Sequence, residues 1–204
     1  STIIKLLSGL YSDYSGKILI NGKELQEYGL ADLKGIFSIV YQDFGKYAIS
    51  MRDNLKLADA GISEENIRKI LQKFDLENAA HKLPDGIDTP LGRIHSSGMD
   101  LSGGEWQRLA LARAYANNAP VYLLDEPVAA LDPISESQVY QDFQKTSDNK
   151  TTILISHRLG SVKLADQILV LNHGKIVESG SHEKLMENHQ LYYEMYESQR
   201  SWYQ

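Results

Sequence analysis

Three groups of residues, in a fixed order, have the types and spacing for chemistry at a phosphate. Leu101-Ser102-Gly103-Gly104-Glu105 opens a helical pattern, the apolar run Val121-Tyr122-Leu123-Leu124 ends in Asp125-Glu126-Pro127, and His157 closes the next apolar run, Ile153-Leu154-Ile155-Ser156. A buried strand ending in adjacent carboxylates offers one acid to hold Mg²⁺ and a second to orient an attacking water. A Ser-Gly-Gly turn at a helix start bares backbone N–H groups to phosphate oxygens, and the helix dipole favours the negative charge. Singly, each has a plain structural explanation: a solvated strand end, a helix cap, a loop histidine. Their succession is what points to a nucleotide.

These groups need elements to position them. Thr2 to Leu7 reads as a helix stopped by Gly9, and Lys17 to Ile20 with Asn21-Gly22 and Lys23 to Leu25 as a hairpin. Leu30 to Gly35 forms a short helix before a buried strand, Ile36 to Tyr41, with Gln42 at its end. From Met51 the texture turns helical, at Arg52 to Leu57, Ser63 to Phe74 and Leu76 to Leu83, with Ser63 a good N-cap. Strand texture returns at Val121 to Leu124, Thr151 to Ser156 and Gln167 to Leu171, alternating with helices at Ile134 to Lys145 and Leu159 to Ala165. Such alternation favours a parallel sheet with crossover helices. His173-Gly174 turns into a last strand, Lys175 to Glu178, and Ser181 caps a C-terminal helix whose tyrosines (192, 193, 196) and following Trp202 and Tyr203 read as helix-face packing.

The string Leu101 to Ala114, with Asp125-Glu126 behind four apolar residues, resembles the signature and Walker B sequences of the ATP-binding cassette (ABC) transporter family. That resemblance implies an α/β P-loop NTPase fold, a mainly parallel sheet plus a helical signature subdomain. It divides the chain into an ATP-binding core at 1–44 and 117–204 and a helical subdomain at 45–116. It implies ATP and Mg²⁺, with Asp125 on the Mg²⁺ side, Glu126 as general base, and His157 as the switch residue at the γ-phosphate. Gln42 takes the role of the Q-loop glutamine, contacting Mg²⁺ and the attacking water. Ser102, Gly103, Gly104 and Glu105 grip the γ-phosphate of ATP held by a second cassette, in a homo- or heterodimer sandwiching two nucleotides. Asp132 in Ala130-Leu131-Asp132 matches the D-loop, although Ala129 stands where the family commonly has Ser, which puts one cross-dimer hydrogen bond in question.

Ser1-Thr2 matches the tail of a P-loop, G-x-x-x-x-G-K-[ST], which places both at the nucleotide and Ser1 on the metal. The lysine, the glycines and the strands feeding them do not occur within the 204 residues. The expectation is a cassette impaired in nucleotide binding; a calorimetric titration giving micromolar ATP affinity for this chain would refute it. Tyr41-Gln42-Asp43-Phe44 and Ser50-Met51-Arg52-Asp53-Asn54-Leu55 look like the exporter form of the segment that touches the membrane domain. This implies a transmembrane-domain partner and a place on the cytoplasmic face of the cell membrane; the residues that would choose a cargo are not in this sequence, and only overall similarity suggests small peptide or bacteriocin-like cargo. Leu91 to Ser97 departs from the common exporter pattern, which has a Glu after the Gly.

Bulk composition agrees with one core and a small satellite: 204 residues, 42% hydrophobic. A net charge of -6 argues against a nucleic-acid partner. The absence of cysteine excludes disulfides and thiolate metal sites, and fits a reducing compartment. No stretch reaches the roughly 18 to 20 apolar residues of a membrane span. Two other readings stand beside the exporter: a non-transport ABC ATPase acting on nucleic acid or ribosomes, against which the charge and the Met51 to Leu55 segment argue, and a non-catalytic interaction module.

Overall fold

The computed structural model describes residues 1–92, 99–127, 139, 140, 143 and 150–201. Helix α1 (Thr2–Leu7) ends before Gly9, whose φ of 74° lies in the left-handed region. Strands β1 (Leu19–Ile20) and β2 (Lys23–Glu24) pair antiparallel around Asn21 and Gly22, at φ 51° and 82°. Two successive left-handed residues are what a type I′ turn requires, so the Asn-Gly pair sets this hairpin.

Helix α2 (Leu30–Ile36) runs straight into β3 (Phe37–Val40), which joins β4 (Val121–Asp125) and β5 (Thr151–Ile155) in a parallel sheet of order β3-β4-β5. Val40 lies level with Leu124, and Leu124 with Leu154. Side chains alternate between two buried faces. Phe37, Ile39, Leu123, Ile153 and Ile155 pack with Ile4, Leu25 and Leu33 on one side, while Val40, Tyr122, Leu124 and Leu154 join the helical layer on the other. Burial on both faces accounts for the unbroken apolar runs of these strands.

The helical layer consists of α3 (Met51–Lys56), α4 (Glu64–Lys73), α5 (Glu77–His81) and α6 (Gly103–Ala116). Ser50, Ser63 and Ser102 cap three of them, each hydroxyl accepting from the N–H three residues on, as the sequence anticipates for Ser63. On α4, Ile67, Ile70 and Leu71 lie on the buried side. Arg52 donates to both oxygens of Asp88 and to Glu64, and this hydrogen bonding holds the Asp88 carboxyl below its usual range. The helix α6 is buried on nearly every side, and Val139, Tyr140 and Phe143 complete its core.

After α7 (Leu159–Val162), β6 (Ile168–Asn172) and β7 (Lys175–Gly180) form an antiparallel hairpin turned by His173 and Gly174, at φ 46° and 76°. The turn and last strand are those the sequence reading expects, and among the described residues β6 pairs with β7 alone. The helices α8 (His182–Glu187), capped by Ser181, and α9 (Leu191–Ser201) close a small second core of Ile168, Val170, Leu185 and Tyr192. Tyr192 is buried with its hydroxyl 2.9 Å from His182 Nδ1, so the tyrosines do pack the helix face. Trp202 and Tyr203, most of the helix expected at 134–145, and 93–98 lie outside the described residues. None of the described helices is long and apolar enough to cross a membrane.

Leu123 sits at the middle of the central strand with no exposure, in the cluster that seats Ile4 and hence α1 on the sheet. Leu123→Ala should therefore lower unfolding free energy by about 2–5 kcal/mol, read as a reduced urea midpoint at unchanged slope.

Candidate functional site

All three parallel strands end at one edge of the sheet, and the register carries the chemistry there. Asp125 is level with Ile155, so Glu126 and His157 leave the sheet side by side, and Gln42 leaves it two residues after Val40. Carboxyl ends of parallel strands are where α/β sheets bind ligands.

Asp125 is 5% exposed, and its Oδ2 accepts from the Ser1 nitrogen across 124 residues of sequence. Ser1 is the N-cap of α1, yet its hydroxyl makes no capping hydrogen bond. The atom of Ser1 that meets the buried Asp125 carboxylate is its backbone nitrogen. Thr2 is exposed at the first turn of the same helix.

His157 Nδ1 lies 2.9 Å from Glu126 Oε1, with the imidazole 63% exposed and the carboxylate 23% exposed. The pair is hydrogen-bonded to itself and open to a ligand. Glu126 has φ 48° while its N–H still donates to the Ile155 carbonyl at 2.9 Å. A left-handed acid immediately before Pro127 is a strained backbone, of order 1–3 kcal/mol, held in place by its neighbours. Such strain aims the carboxylate away from the strand direction. Gln199 Nε2 on α9 donates to the His157 carbonyl, a contact between the last helix and this loop that nothing in the local sequence signals.

Gln42 is exposed and makes no side-chain hydrogen bond among the described residues, so the structure places it at the right edge without joining it to the acid pair. Ser102, Gly103, Gly104 and Glu105 stand apart, and no hydrogen bond or ion pair among the described residues connects them to Ser1, Asp125, Glu126 or His157. They form a reciprocal cap: Glu105 N–H donates to Ser102 Oγ at 3.3 Å, and Ser102 N–H to Glu105 Oε2 at 2.8 Å. Of the donors a helix start leaves unpaired, the cap satisfies those of Ser102 and Glu105 and leaves the Gly103 and Gly104 N–H groups for an outside acceptor. A Cβ built on Gly103 meets nothing within 4 Å. Trp106 Nε1 donates to Asp100 Oδ1 at 2.8 Å and anchors the chain entering this turn. Asp132, with Ala129 to Leu131, lies outside the described residues.

A cleft of about 1000 Å³ opens between β3, the segment 46–49 and the ends of α3 and α6, lined by Phe37, Ile39, Tyr47, Ile49, Leu57 and Ala110 among others. No group of three or more His, Cys, Asp or Glu able to hold a metal occurs among the described residues. The oxygen groups on the residues there are the Asp125 carboxylate itself, the side chain of Ser1, whose nitrogen meets that carboxylate, and, farther along the edge, the Gln42 carboxamide. That hard-oxygen set fits Mg²⁺, which keeps several waters and takes few protein ligands.

A three-layered α/β domain with an acid pair at the carboxyl edge of its parallel sheet is of the P-loop NTPase class. The ABC transporter family model matches residues 1–129. The chain belongs to the ABC transporter family. It is 40% identical over 204 residues to the subtilin transport ATP-binding protein SpaT of Bacillus subtilis, covering 97% of this chain and 33% of SpaT. It is 38% identical over 200 residues to an ATP-dependent lipid A-core flippase of Xylella fastidiosa (strain Temecula1 / ATCC 700964), covering 98% and 33%. The solved structure of a bacterial Atm1-family ABC exporter with ATP bound superposes with a TM-score of 0.89 at 33% identity, over 98% of this chain and 35% of that one. The chain thus spans about a third of the length of the relatives it matches.

Proposed function

We propose that this chain is the ATP-binding and ATP-hydrolysing domain of an ABC exporter. The observation that carries this is the Glu126–His157 pair, 2.9 Å apart at the carboxyl edge of the sheet, next along the chain from the buried Asp125. Exporter relatives similar across nearly the whole chain support the transport assignment.

Glu126 accepts a hydrogen bond from the attacking water and takes its proton as the water oxygen bonds to the γ-phosphorus. The bond to the β–γ bridging oxygen breaks, and ADP departs with that oxygen. His157 fixes the Glu126 carboxylate through Nδ1 and presents its exposed ring to the γ-phosphate. Gln42 orients the water from the neighbouring strand. Ser1, Asp125 and Gln42 would hold Mg²⁺, which supplies charge neutralisation at the β and γ oxygens. The Gly103 and Gly104 amides add stabilisation to the γ-phosphate of ATP on a second cassette, so the working unit is a pair. The cleft beside segment 46–49 takes the transmembrane domain, which places the domain at the cytoplasmic face of the membrane.

Inverted membrane vesicles containing the whole protein test this reading. ATP hydrolysis that needs Mg²⁺ and drives uptake into the vesicles is the expected result. A whole protein that hydrolyses no ATP would overturn it.

A further inference from the structure

One side chain joins the long α6 helix to the segment that follows Gln42. Arg113 NH1 and NH2 donate to the Gly45 carbonyl at 3.3 and 3.2 Å, NH1 also donates to Asn54 Oδ1 at 3.2 Å, and the guanidinium stacks 4.5 Å from the Tyr47 ring centroid. Asn54 has no exposure, and its amide nitrogen reaches the carbonyls of Tyr47, Ile49 and Ser50 at 3.2, 3.3 and 3.0 Å. Together these contacts take up four carbonyls of the segment 45–50, which has no strand or helix of its own. Packing there is close: a Cβ on Gly45 would stand 3.0 Å from Tyr47 Cζ. Burial lowers the Arg113 pKa and Tyr47 opposes that shift, but a guanidinium stays charged under all working conditions.

At its other end the same helix carries the signature turn, roughly 16 Å from Arg113 at the rise of an α-helix. The helix is buried along its length, and Arg108 holds both the carboxylate and the carbonyl of Asp75 at the α4–α5 corner. A rigid rod is thus pinned at one end to 45–50 and free at the other to present Gly103 and Gly104. We propose that Arg113 and Asn54 are positioning residues that lock segment 45–50 to α6, so that a partner docked at that segment and a γ-phosphate at the signature turn sense each other. This rests on the reading of the signature turn as a phosphate site, and linkage makes it reciprocal.

Hydrogen exchange of the whole protein tests it, with Mg·ATP as the probe and Glu126→Gln to hold the bound state. ATP should slow exchange at 102–105 and at 45–50 together, each by about tenfold, within the range of site-to-site coupling. Adding Arg113→Lys, which loses the second donor to Gly45 and the planar stack on Tyr47, should keep the response at 102–105 and return 45–50 to its ATP-free rate. With Glu126 intact, Arg113→Lys should leave the ATP KM unchanged while kcat falls about three- to tenfold. A merely structural arginine would raise exchange with and without ATP alike and leave the difference intact. The lock is overturned if 45–50 ignores ATP while 102–105 responds, a comparison that needs no Arg113 variant, or if Arg113→Lys leaves both responses equal. No response at 102–105 would instead overturn the phosphate-site reading.

Discussion

Glu126→Gln should lower ATP turnover by about 10²- to 10⁴-fold, the range for loss of a general base, while ATP binding survives. The replacement is isosteric, so the carboxamide oxygen can still accept from His157 Nδ1, and the backbone keeps its φ of 48° and its hydrogen bond to Ile155. Fold stability should change by less than about 1 kcal/mol, because the imidazole partner is largely exposed and the pair is screened. What disappears is only the capacity to take a proton. Occupied pairs of cassettes should then accumulate, since closure proceeds and hydrolysis does not. His157→Ala should cost less, because it loosens the carboxylate without removing it. The double variant should be little worse than Glu126→Gln alone, the non-additivity expected of residues acting as a unit. Single-turnover ATP hydrolysis by the whole protein, together with its equilibrium ATP binding, checks all three. A Glu126→Gln protein within tenfold of the parent would remove Glu126 from the reaction.

The acid pair was legible because its environment is local: four apolar residues force a strand, and the acids fall at its end, Asp125 as its last residue and Glu126 just beyond it. The same holds for the Asn21-Gly22 hairpin, where residue types dictate left-handed φ, and for the Ser63 cap. Legibility ends where the partner is distant in sequence. Only the P-loop resemblance of Ser1-Thr2 brought Ser1 toward Asp125 in the sequence; the packing that seats α1 there, with Ile4 and Leu123 in one core cluster, has no local signal. The reach of Gln199 to the His157 carbonyl and the grip of Arg113 on Gly45 are likewise products of tertiary packing. Arg113 was visible only as part of a helical string, with no hint that it works 68 residues away from itself. In β6 an apolar run of the right length could not say which neighbour it would choose. The turn at His173-Gly174, which the sequence does show, gives it β7 along one edge.

Gly103→Asp should abolish most hydrolysis while leaving the fold as stable as before or slightly firmer. The position is the first residue of α6, in open space for a new side chain, and its backbone φ is not in the left-handed region. An acid in a first helical turn interacts favourably with the dipole, worth about 0.3–1 kcal/mol. The reciprocal cap between Ser102 and Glu105 does not involve this side chain and should persist. Any loss of activity is then electrostatic: a carboxylate now occupies the mouth of the N–H pair meant for a γ-phosphate. Removing one preorganised donor of this kind costs about 10²- to 10³-fold, and a like charge adds repulsion to the loss. On the proposed reading the turn serves ATP held by a second cassette, so binding to each cassette's own edge should be nearly normal, with the defect confined to pairing and turnover. Gly103→Ala separates the two contributions, since it adds bulk without charge and should fall between the parent and Gly103→Asp. Melting temperature, ATP binding and turnover measured on the three proteins decide the matter. If Gly103→Asp hydrolyses ATP at the parent rate, the amides of this turn do not face a phosphate.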